Sequence, residues 1–483
     1  MPKLFLFAIG GSGARVVKAL SFLLAGGAEA RTERIIPIII DPDRTNGNLT
    51  GTLSVLEDYE ALHGMTQPGS SEFFHTPVSP LVSAASTKEP GAATGVSTGY
   101  KSEIAGTDVG RFNSFVAYDR LPPASKKMMQ LLYSPENLKE PLNVGFKGRP
   151  NMGAIVLNKY KDSEDFKYFA NQFSEGDRIF IISSIFGGTG SAGFPLLVNN
   201  LRNANQIKLA NAAFLSEATI GAITLQPYFG IEEKAESAIH KSTFAGKTRA
   251  ALTYYHRELN DKLNALYYIG DTQVKDYPNN EGGETQSNPA HYIELLAASA
   301  ILDFLATEDA NLPTGSTAYK EFGIRNGEGK LSLKSMSTPQ SSLYLPLIRF
   351  AYASKYWEEQ LHKAAGHQAW TKRGGREFGK KFMQGTFYST LKRYTAAWKA
   401  WYREMSSNEK AFAPFVFDAP LHQYLTGIEH RKKGIFKLRK WDYGDFDTYL
   451  NGAEENLIAT DAPARFSELF SNVTREIYSD RIQ

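Results

Sequence analysis

The sequence predicts an α/β fold in which a parallel sheet binds a nucleotide. Three observations predict it. An apolar run ends in the glycine-rich turn Gly10–Gly13 before a helix, a second strand at 34–41 ends in the acid Asp41, and a third strand at 178–185 passes through the turn at 186–193 into another helix. Such strand-to-helix turns direct backbone N–H groups and the positive end of a helix at one place, which favours phosphate. The simpler interpretation of each turn is a tight connection with nothing bound.

Length and composition limit the class of protein. The 483 residues exceed the roughly 250–300 residues of a single core, so two domains are expected. Lys and Arg number 54 against 51 Asp and Glu, and this balance disfavours nucleic acid as a partner. Cysteine is absent, which excludes disulfides, thiolate metal sites and cysteine catalysis. No apolar run approaches the ~20 residues of a membrane span, and the first residues lack the features of a signal peptide, so a cytoplasmic protein is expected.

The first elements have the order of a nucleotide-binding sheet. Residues 3–9 predict a strand, residues 14–25 carry apolar side chains at helical spacing, and Gly26–Gly27 closes that helix. We expect Asp41 or Asp43 to lie near a ribose or a bound cation. Turn formation by Asp41-Pro42-Asp43 explains the same acids without a ligand.

The stretch from about 50 to 140 is crowded with Gly, Ser, Thr and Pro and predicts an insertion with a few short helices, one of them at 124–133. Its Gly91–Gly95 segment has no strand before it, so loop filler is the better interpretation than a phosphate loop.

After this insertion the sequence predicts a loop at 145–153 and a helical segment that extends to residue 160. Later strands are predicted at 218–226 and 265–271, with a helix at 248–263 between them. A helix apolar nearly all round begins at Asn288-Pro289, where Asn288 is the predicted N-cap, and it should be buried. Beyond residue 310 the sequence is mainly helical, with a strand expected within 342–352. The basic clusters at 380–381 and 431–433 are interpreted as solvated helix faces.

The order of these loops resembles the tubulin/FtsZ superfamily, and most nearly its divergent bacterial tubulin-like proteins. The residues that carry the resemblance are Gly-Gly-x-Gly at 10–13, Pro-x-x-Gly at 150–153, Gly-Gly-Thr-Gly-Ser-Ala-Gly at 187–193, Pro-Tyr-Phe-Gly at 227–230 and the long helix. The tubulin signature departs here in two places, since Phe186 replaces its first glycine and Ala192 is an extra residue. The resemblance covers residues 1–49 and about 145–305.

The resemblance implies a Rossmann-like GTPase domain with a parallel sheet, a long central helix and GTP or GDP as ligand, with Mg²⁺ as a further candidate. It assigns Gly10, Gly11, Ser12 and Gly13 to the α- and β-phosphates and Gly187, Gly188, Thr189, Gly190 and Ser191 to the β- and γ-phosphates. It places Arg149 and Asn151 near the γ-phosphate, Glu232 and Asp271 towards the ribose, and Asn288 or His291 towards the base; Asp41 joins the candidate nucleotide-binding residues from its place after the second strand. Helix capping alone explains Asn288, and a packed or solvated histidine is the commoner reading of His291. No protein metal site is predicted.

One departure concerns hydrolysis. Polymerising relatives carry an Asn-x-Asp-x-x-Asp-like loop after the central helix, whereas this chain has Ala306 to Gly315, in which only Glu308 and Asp309 are candidates to polarise water for a neighbouring subunit. We therefore expect a guanine-nucleotide-binding protein that self-associates into filaments or a complex, with hydrolysis weak or dependent on subunit contact.

The expected organisation is a nucleotide-binding domain at 1–287 that contains the 50–140 insertion, a central helix at 288–305, and a divergent, largely helical C-terminal domain at 306–483 through which a protein partner could bind. Two alternatives stay open. One is a non-hydrolysing scaffold or regulatory partner with the same fold. The other is a dinucleotide-dependent oxidoreductase, against which Val16 stands where the third glycine of a dinucleotide fingerprint belongs.

Overall fold

The computed structural model is built around one seven-stranded sheet whose neighbouring strands all run parallel, in the order β3-β2-β1-β4-β5-β7-β9. The structure describes residues 2–43, 46–66, 69–82, 96–104, 106–107, 110–143, 145–146, 148–228, 230–231, 241–271, 276–277, 288–322, 330–331, 341–372, 377–408, 410–426 and 440–482. The strands are β1 Leu4–Ile9, β2 Ile35–Ile40, β3 Lys101–Ser102, β4 Arg178–Ser184, β5 Thr219–Leu225, β6 Gly230–Ile231, β7 Ala265–Ile269, β8 Asp276–Tyr277, β9 Ala318–Phe322, β10 Lys330–Leu331 and β11 Ala411–Phe412. Strands β6 and β8 pair with each other, as do β10 and β11.

The helices are α1 Gly10–Ala25, α2 Gly47–Met65, α3 Phe112–Phe115, α4 Pro123–Leu132, α5 Pro135–Leu138, α6 Pro150–Leu157, α7 Glu164–Gln172, α8 Gly188–Arg202, α9 Ala212–Ser216, α10 Lys241–Leu259, α11 Tyr292–Ala306, α12 Ser341–Glu359, α13 Leu361–Ala364, α14 Lys380–Met383, α15 Thr386–Ser406, α16 Tyr443–Ala453 and α17 Ala462–Ile477. Among the described residues, no helix is both long enough and apolar enough to cross a membrane.

The central strands are apolar on both faces because helices cover both faces. Every residue of β1, β2 and β4 is buried, as expected for a parallel sheet between two helical layers. One core lies on the face of α1, α2, α11 and the C-terminal helices. The other lies on the face of α6, α7, α8 and α10. The α/β fold class predicted from the sequence is confirmed.

Helix α2 occupies the start of the stretch that the sequence suggested was an irregular insertion. Asn46 caps it by accepting hydrogen bonds from the backbone N–H groups of Asn48 and Leu49, and its buried residues Leu49, Leu56 and Tyr59 follow helical spacing. Strand β3, at 101–102, then pairs with β2 and extends the sheet. The Gly91–Gly95 segment lies outside the described residues, and the 50–140 boundaries remain a prediction.

The C-terminal part is largely helical, as predicted, and shares a core with the sheet domain. The Tyr394 hydroxyl of α15 donates to the backbone oxygen of Ser21 on α1 at 2.9 Å, and the Phe22 ring lies 5.1 Å from that of Trp401. The strand expected within 342–352 was wrong, because those residues belong to helix α12 despite Pro346. Strand β9 lies after the predicted boundary at 306 and yet completes the sheet.

Candidate nucleotide-binding site

The sheet has a switch point between β1 and β4. From β1 the chain passes through α1 to β2 on one side, and from β4 it passes through α8 to β5 on the other. Helix α1 packs in one core and α8 in the other, so the two helices leave the same edge of the sheet towards opposite faces. A crevice therefore opens at the carboxyl ends of β1 and β4, which is where open parallel sheets bind their ligands.

The first glycine turn joins β1 directly to α1. Gly10 has a φ of +77°, in the left-handed region that favours glycine. A Cβ atom at Gly13 would lie 2.9 Å from the Ala8 carbonyl carbon, so only glycine lets the helix approach the strand this closely. The cap residue, Ile9, makes no side-chain hydrogen bond to the helix. Because the side chain of this N-cap residue does not cap the helix, it leaves the first N–H groups of α1 available at the crevice.

The second glycine turn repeats this arrangement after β4. Gly187 caps α8 without a side chain, and a Cβ at Gly190 would lie 2.8 Å from the backbone nitrogen of Ser184. The Ser191 hydroxyl donates to the Gly187 carbonyl oxygen. The Thr189 Cβ lies 3.4 Å from the position of a Cβ at Gly10. The N-termini of α1 and α8 therefore meet at the switch point.

The loop at 145–153 packs against the second turn. A Cβ at Gly188 would lie 3.1 Å from the backbone nitrogen of Gly148, and one at Gly153 would lie 2.8 Å from the Gly188 carbonyl oxygen. The Arg149 guanidinium pairs with Glu140 at 2.6 Å. Asn151 accepts a hydrogen bond from Tyr133 on its backbone oxygen at 3.1 Å. The structure thus brings three predicted loops together, with the charge of Arg149 already paired.

Two acidic residues directly follow β2, next to the first turn. Ile40 pairs with Ile9, so Asp41 and Gly10 follow neighbouring strands at the same level. Asp41 and Asp43 are both buried, and the Asp41 carboxylate accepts the backbone N–H of Asp43 at 3.0 Å. Burial raises the pKa of Asp41 to about 7, although the hydrogen bond from the Asp43 backbone N–H opposes the rise and the Asp43 charge adds to it. A carboxyl in this state gains from a nearby cation.

The side chain of Asn46 contacts the first turn and was not predicted from the sequence. Its Nδ2 lies 3.4 Å from the position of a Cβ at Gly11. The signal for it was local, since an asparagine before a glycine, followed by apolar residues at helical spacing, is typical of a helix N-cap.

A buried ion pair ties α1 to α11 below the crevice. Arg15 donates to Glu294, to the Tyr228 hydroxyl at 3.2 Å and to the Pro289 carbonyl oxygen at 3.2 Å. Burial alone would lower the pKa of Arg15, but Glu294 raises it above its ordinary value, so the guanidinium stays charged. Ser12 hydrogen-bonds to the same Tyr228 hydroxyl. The first glycine turn is thereby anchored to the central helix.

The central helix begins later than predicted. His291, not Asn288, is its N-cap, because the His291 Nδ1 accepts the backbone N–H of Ile293 at 3.2 Å. Burial, with the nearby cations Arg15 and Lys410, lowers the pKa of His291 to about 3, so its ring is neutral. The backbone N–H of Asn288 instead donates to the Asn48 side chain at 3.1 Å, and Tyr228 packs 5.0 Å from the His291 ring.

The remaining predicted residues are spread along the chain. Asp271 follows β7 and forms an ion pair with Lys410 of the C-terminal part. Glu232 lies outside the described residues. Glu308 and Asp309 lie beyond the far end of α11, where the Asp309 carboxylate accepts from Arg178, the first residue of β4, at 2.7 Å. These two acids therefore lie at the opposite end of β4 from the glycine turns.

Across the described parts of the chain, no group of three or more His, Cys, Asp or Glu side chains is arranged to hold a metal ion. Asp41 and Asp43 follow the strand next to the first turn, and Mg²⁺ commonly binds through one or two carboxylates plus substrate phosphates.

Solved structures of two CetZ proteins are among those similar to this chain. CetZ from Methanosaeta thermophila strain DSM 6194 has 12% sequence identity and a TM-score of 0.32, over 64% of this chain and 56% of that one. CetZ2 from Haloferax volcanii, described as a GTPγS-bound protofilament, has 13% identity and a TM-score of 0.30, over 64% of this chain and 60% of that one. The chain thus spans less than two thirds of the length of either. No protein-family model and no curated protein matches it. The geometry of the three turns, rather than these similarities, carries the functional inference.

Proposed function

We propose that this chain binds a guanine nucleotide, GTP or GDP, at the switch point between β1 and β4. The observation that carries the proposal is the close approach of two glycine turns at the N-termini of α1 and α8, where the Thr189 Cβ lies 3.4 Å from the position that a Cβ of Gly10 would take. Each helix end contributes free N–H groups and a partial positive charge, and phosphate is the ligand that such an arrangement binds best.

The phosphates would lie against the backbone of Gly11–Gly13 and Gly188–Gly190. Asp41 and Asp43 would hold a Mg²⁺ bound to those phosphates, which is the group that a buried carboxyl with a pKa of about 7 favours. Bound Mg²⁺ would neutralise phosphate charge, while the chain's own amides orient the phosphates.

The choice of guanine rests on the family resemblance together with the start of α11. His291 is neutral and its Nδ1 already accepts a hydrogen bond, so its Nε2 carries the proton and is a donor. A donor suits the acceptor edge of guanine. Asn288 lies three residues before His291, outside the helix, and is the second candidate for the base.

Hydrolysis, in this proposal, depends on contact between chains. Glu308 and Asp309 follow α11, whose 15 residues span about 22 Å, so they do not reach the glycine turns of their own chain. A second copy stacked head to tail would bring them there. Both acids are exposed, but Asp309 is paired with Arg178 and no ion pair within the described residues includes Glu308, so Glu308 is the better candidate to position water.

Titration calorimetry with GTP, GDP, ATP and NAD tests the proposal. Binding of GTP or GDP with weaker binding of ATP supports it. Binding of NAD alone would favour the oxidoreductase, although Val16 is fully buried where a fingerprint glycine would lie. Binding of none of the four would favour the scaffold.

A charge change at Thr189 locates the site. Thr189→Glu places a carboxylate in the first turn of α8, where it repels phosphate and should weaken GTP binding at least about tenfold. The same carboxylate favours the helix N-terminus by about 0.3–1 kcal/mol, so the melting temperature should not fall. Loss of affinity without loss of stability separates a binding role from a structural one.

Two variants serve as controls. Thr189→Val keeps the shape of the side chain and should retain most of the affinity. Gln206→Glu adds the same charge at an exposed position beyond the other end of α8 and should leave GTP binding unchanged. Unaltered GTP affinity in Thr189→Glu would show that the phosphates bind elsewhere.

A further inference from the structure

A cavity of about 380 Å³ lies beside the second glycine turn, between α6, α8 and α10. Its volume is within the roughly 300–1,000 Å³ of small-molecule sites. The helices leave this space because alanines face it from all three of them, including Ala154, Ala192 and Ala251. The cavity is thus a feature of the sequence and not of one side-chain rotamer.

The cavity and the switch point use different faces of α8. Thr189 contacts Gly10, whereas Ser191 and Pro195 line the cavity. Residues two apart on a helix are turned by about 200° from each other, so the cavity face points away from α1. The cavity belongs to the core layer that α1 does not enter.

The walls are apolar and aromatic. Phe186 and Tyr255 line the cavity, and Tyr254 lines it while remaining 45% exposed. The Tyr255 hydroxyl is engaged, since it donates to the Ser191 carbonyl oxygen at 3.2 Å. Aromatic faces at these positions suit a flat, apolar ligand body.

One cation lies on the cavity wall without an acidic partner. The Lys247 Nζ donates to the Gly148 carbonyl oxygen at 2.8 Å, and no ion pair joins it to a carboxylate of the described residues. Burial lowers the pKa of Lys247, and nearby Arg149 lowers it further. Arg149 is already paired with Glu140, so among the described residues of the cavity wall Lys247 is the cation that has no carboxylate partner and could attract an anion.

We propose that this cavity is a second ligand site, which binds an organic anion with an aromatic body and a single carboxylate or sulfonate. The ring system packs against Phe186, Tyr254 and Tyr255, and the acid pairs with the Lys247 ammonium. The cavity borders the proposed nucleotide site, because Asn151, Gly187 and Ser191 line it and are also residues that the family resemblance assigns to the phosphates. The proposed ligand occupies the space on the side of α8 away from α1, so its binding does not require a nucleotide.

Fluorescence titration of the nucleotide-free protein tests the site with two probes, anilinonaphthalene sulfonate and its uncharged relative phenylnaphthylamine. The anionic probe should bind with one-to-one stoichiometry. Lys247→Gln should weaken binding of the anionic probe by about tenfold or more, which is the typical contribution of a charge-assisted hydrogen bond, and should leave the affinity for the uncharged probe unchanged. Ala251→Trp fills the cavity and should weaken both probes.

Lys392→Gln, which removes an exposed lysine on α15, is the matched control and should change neither affinity. Circular dichroism and melting temperature establish that each variant is folded, and Lys247→Gln keeps the test decisive if Ala251→Trp does not fold. Equal weakening of both probes by Lys247→Gln, or none, would overturn the proposal. Displacement of the anionic probe by GTP or pyrophosphate would also overturn it, because the cavity would then be part of the phosphate site.

Discussion

Asp41→Asn should remove a pH dependence of stability that the fold imposes. In the folded chain the pKa of Asp41 is about 7, against an ordinary value of 3.8. A carboxyl with a higher pKa when folded holds its proton more tightly in the folded state. It therefore stabilises the fold at low pH, and that contribution is lost as pH rises from about 4 to about 7.

The magnitude follows from the same two values. Each tenfold difference in proton affinity is worth about 1.4 kcal/mol, so the wild-type chain should lose up to about 4 kcal/mol relative to Asp41→Asn across that range. Above pH 7 the difference should stay constant. The asparagine oxygen can still accept the Asp43 N–H, which spans 3.0 Å in the wild type, so the turn itself is kept.

Urea denaturation of both chains at a series of pH values measures the difference directly, because all other titrating groups are common to both. Mg²⁺ with GTP should reduce the wild-type pH dependence if the cation pairs with Asp41. Parallel free energies of unfolding for the two chains from about pH 4 to about pH 7 would refute the reasoning, since Asp41 would then be solvated or already paired.

Two further predictions concern the central helix and its far end. Glu294→Gln leaves the buried Arg15 cation without its counter-charge and should lower the free energy of unfolding by about 3–5 kcal/mol in urea denaturation. The control Glu164→Gln removes one partner of the exposed ion pair with Lys167 and should change that free energy by less than about 1 kcal/mol. Equal effects of the two variants would contradict the buried-pair reasoning. The rate of GTP hydrolysis per chain should rise with protein concentration. A mixture of Thr189→Glu chains with Glu308→Gln/Asp309→Asn chains should hydrolyse GTP faster than either variant alone, because the Thr189→Glu chains supply the acids and the other chains supply the bound nucleotide. A rate per chain that is independent of concentration, with no gain on mixing, would exclude catalysis across a contact.

The sequence alone predicted strands β1, β2, β4, β5 and β7 of the sheet and its two glycine turns, but it did not predict β3 or β9. These strands are largely apolar, and Gly10, Gly187 and Gly270 follow β1, β4 and β7 closely, so the pattern leaves little choice of structure there. Helix α2 was missed because Gly47, Gly51 and Gly64 lower its helical propensity. Its apolar spacing and the Asn46 cap outweigh that cost once the helix packs on α1.

Contacts between residues that are far apart in the sequence could not be predicted from local sequence patterns. Arg15 and Glu294 are 279 residues apart, and nothing in either neighbourhood indicates the other. The N-cap of α11 was misplaced for the same reason. Asn288-Pro289 has the local chemistry of a helix start, but the Asn288 N–H is taken by Asn48 of α2, and the helix begins only after His291.

The polarity of the sheet gives the proposed assembly its direction. The glycine turns lie at the carboxyl ends of β1 and β4, and Arg178 begins β4 at the other end, where it holds the segment after α11 through the Phe304 and Thr307 carbonyl oxygens and Asp309. A contact that brings this segment to another chain's turns joins two different surfaces, and such a heterologous contact repeats as an open filament unless its rotation closes a ring. Because Arg178 holds this segment in place, we expect the residue that pairs with Asp309 also to set how Glu308 would be presented to the nucleotide site of the next chain in the proposed assembly.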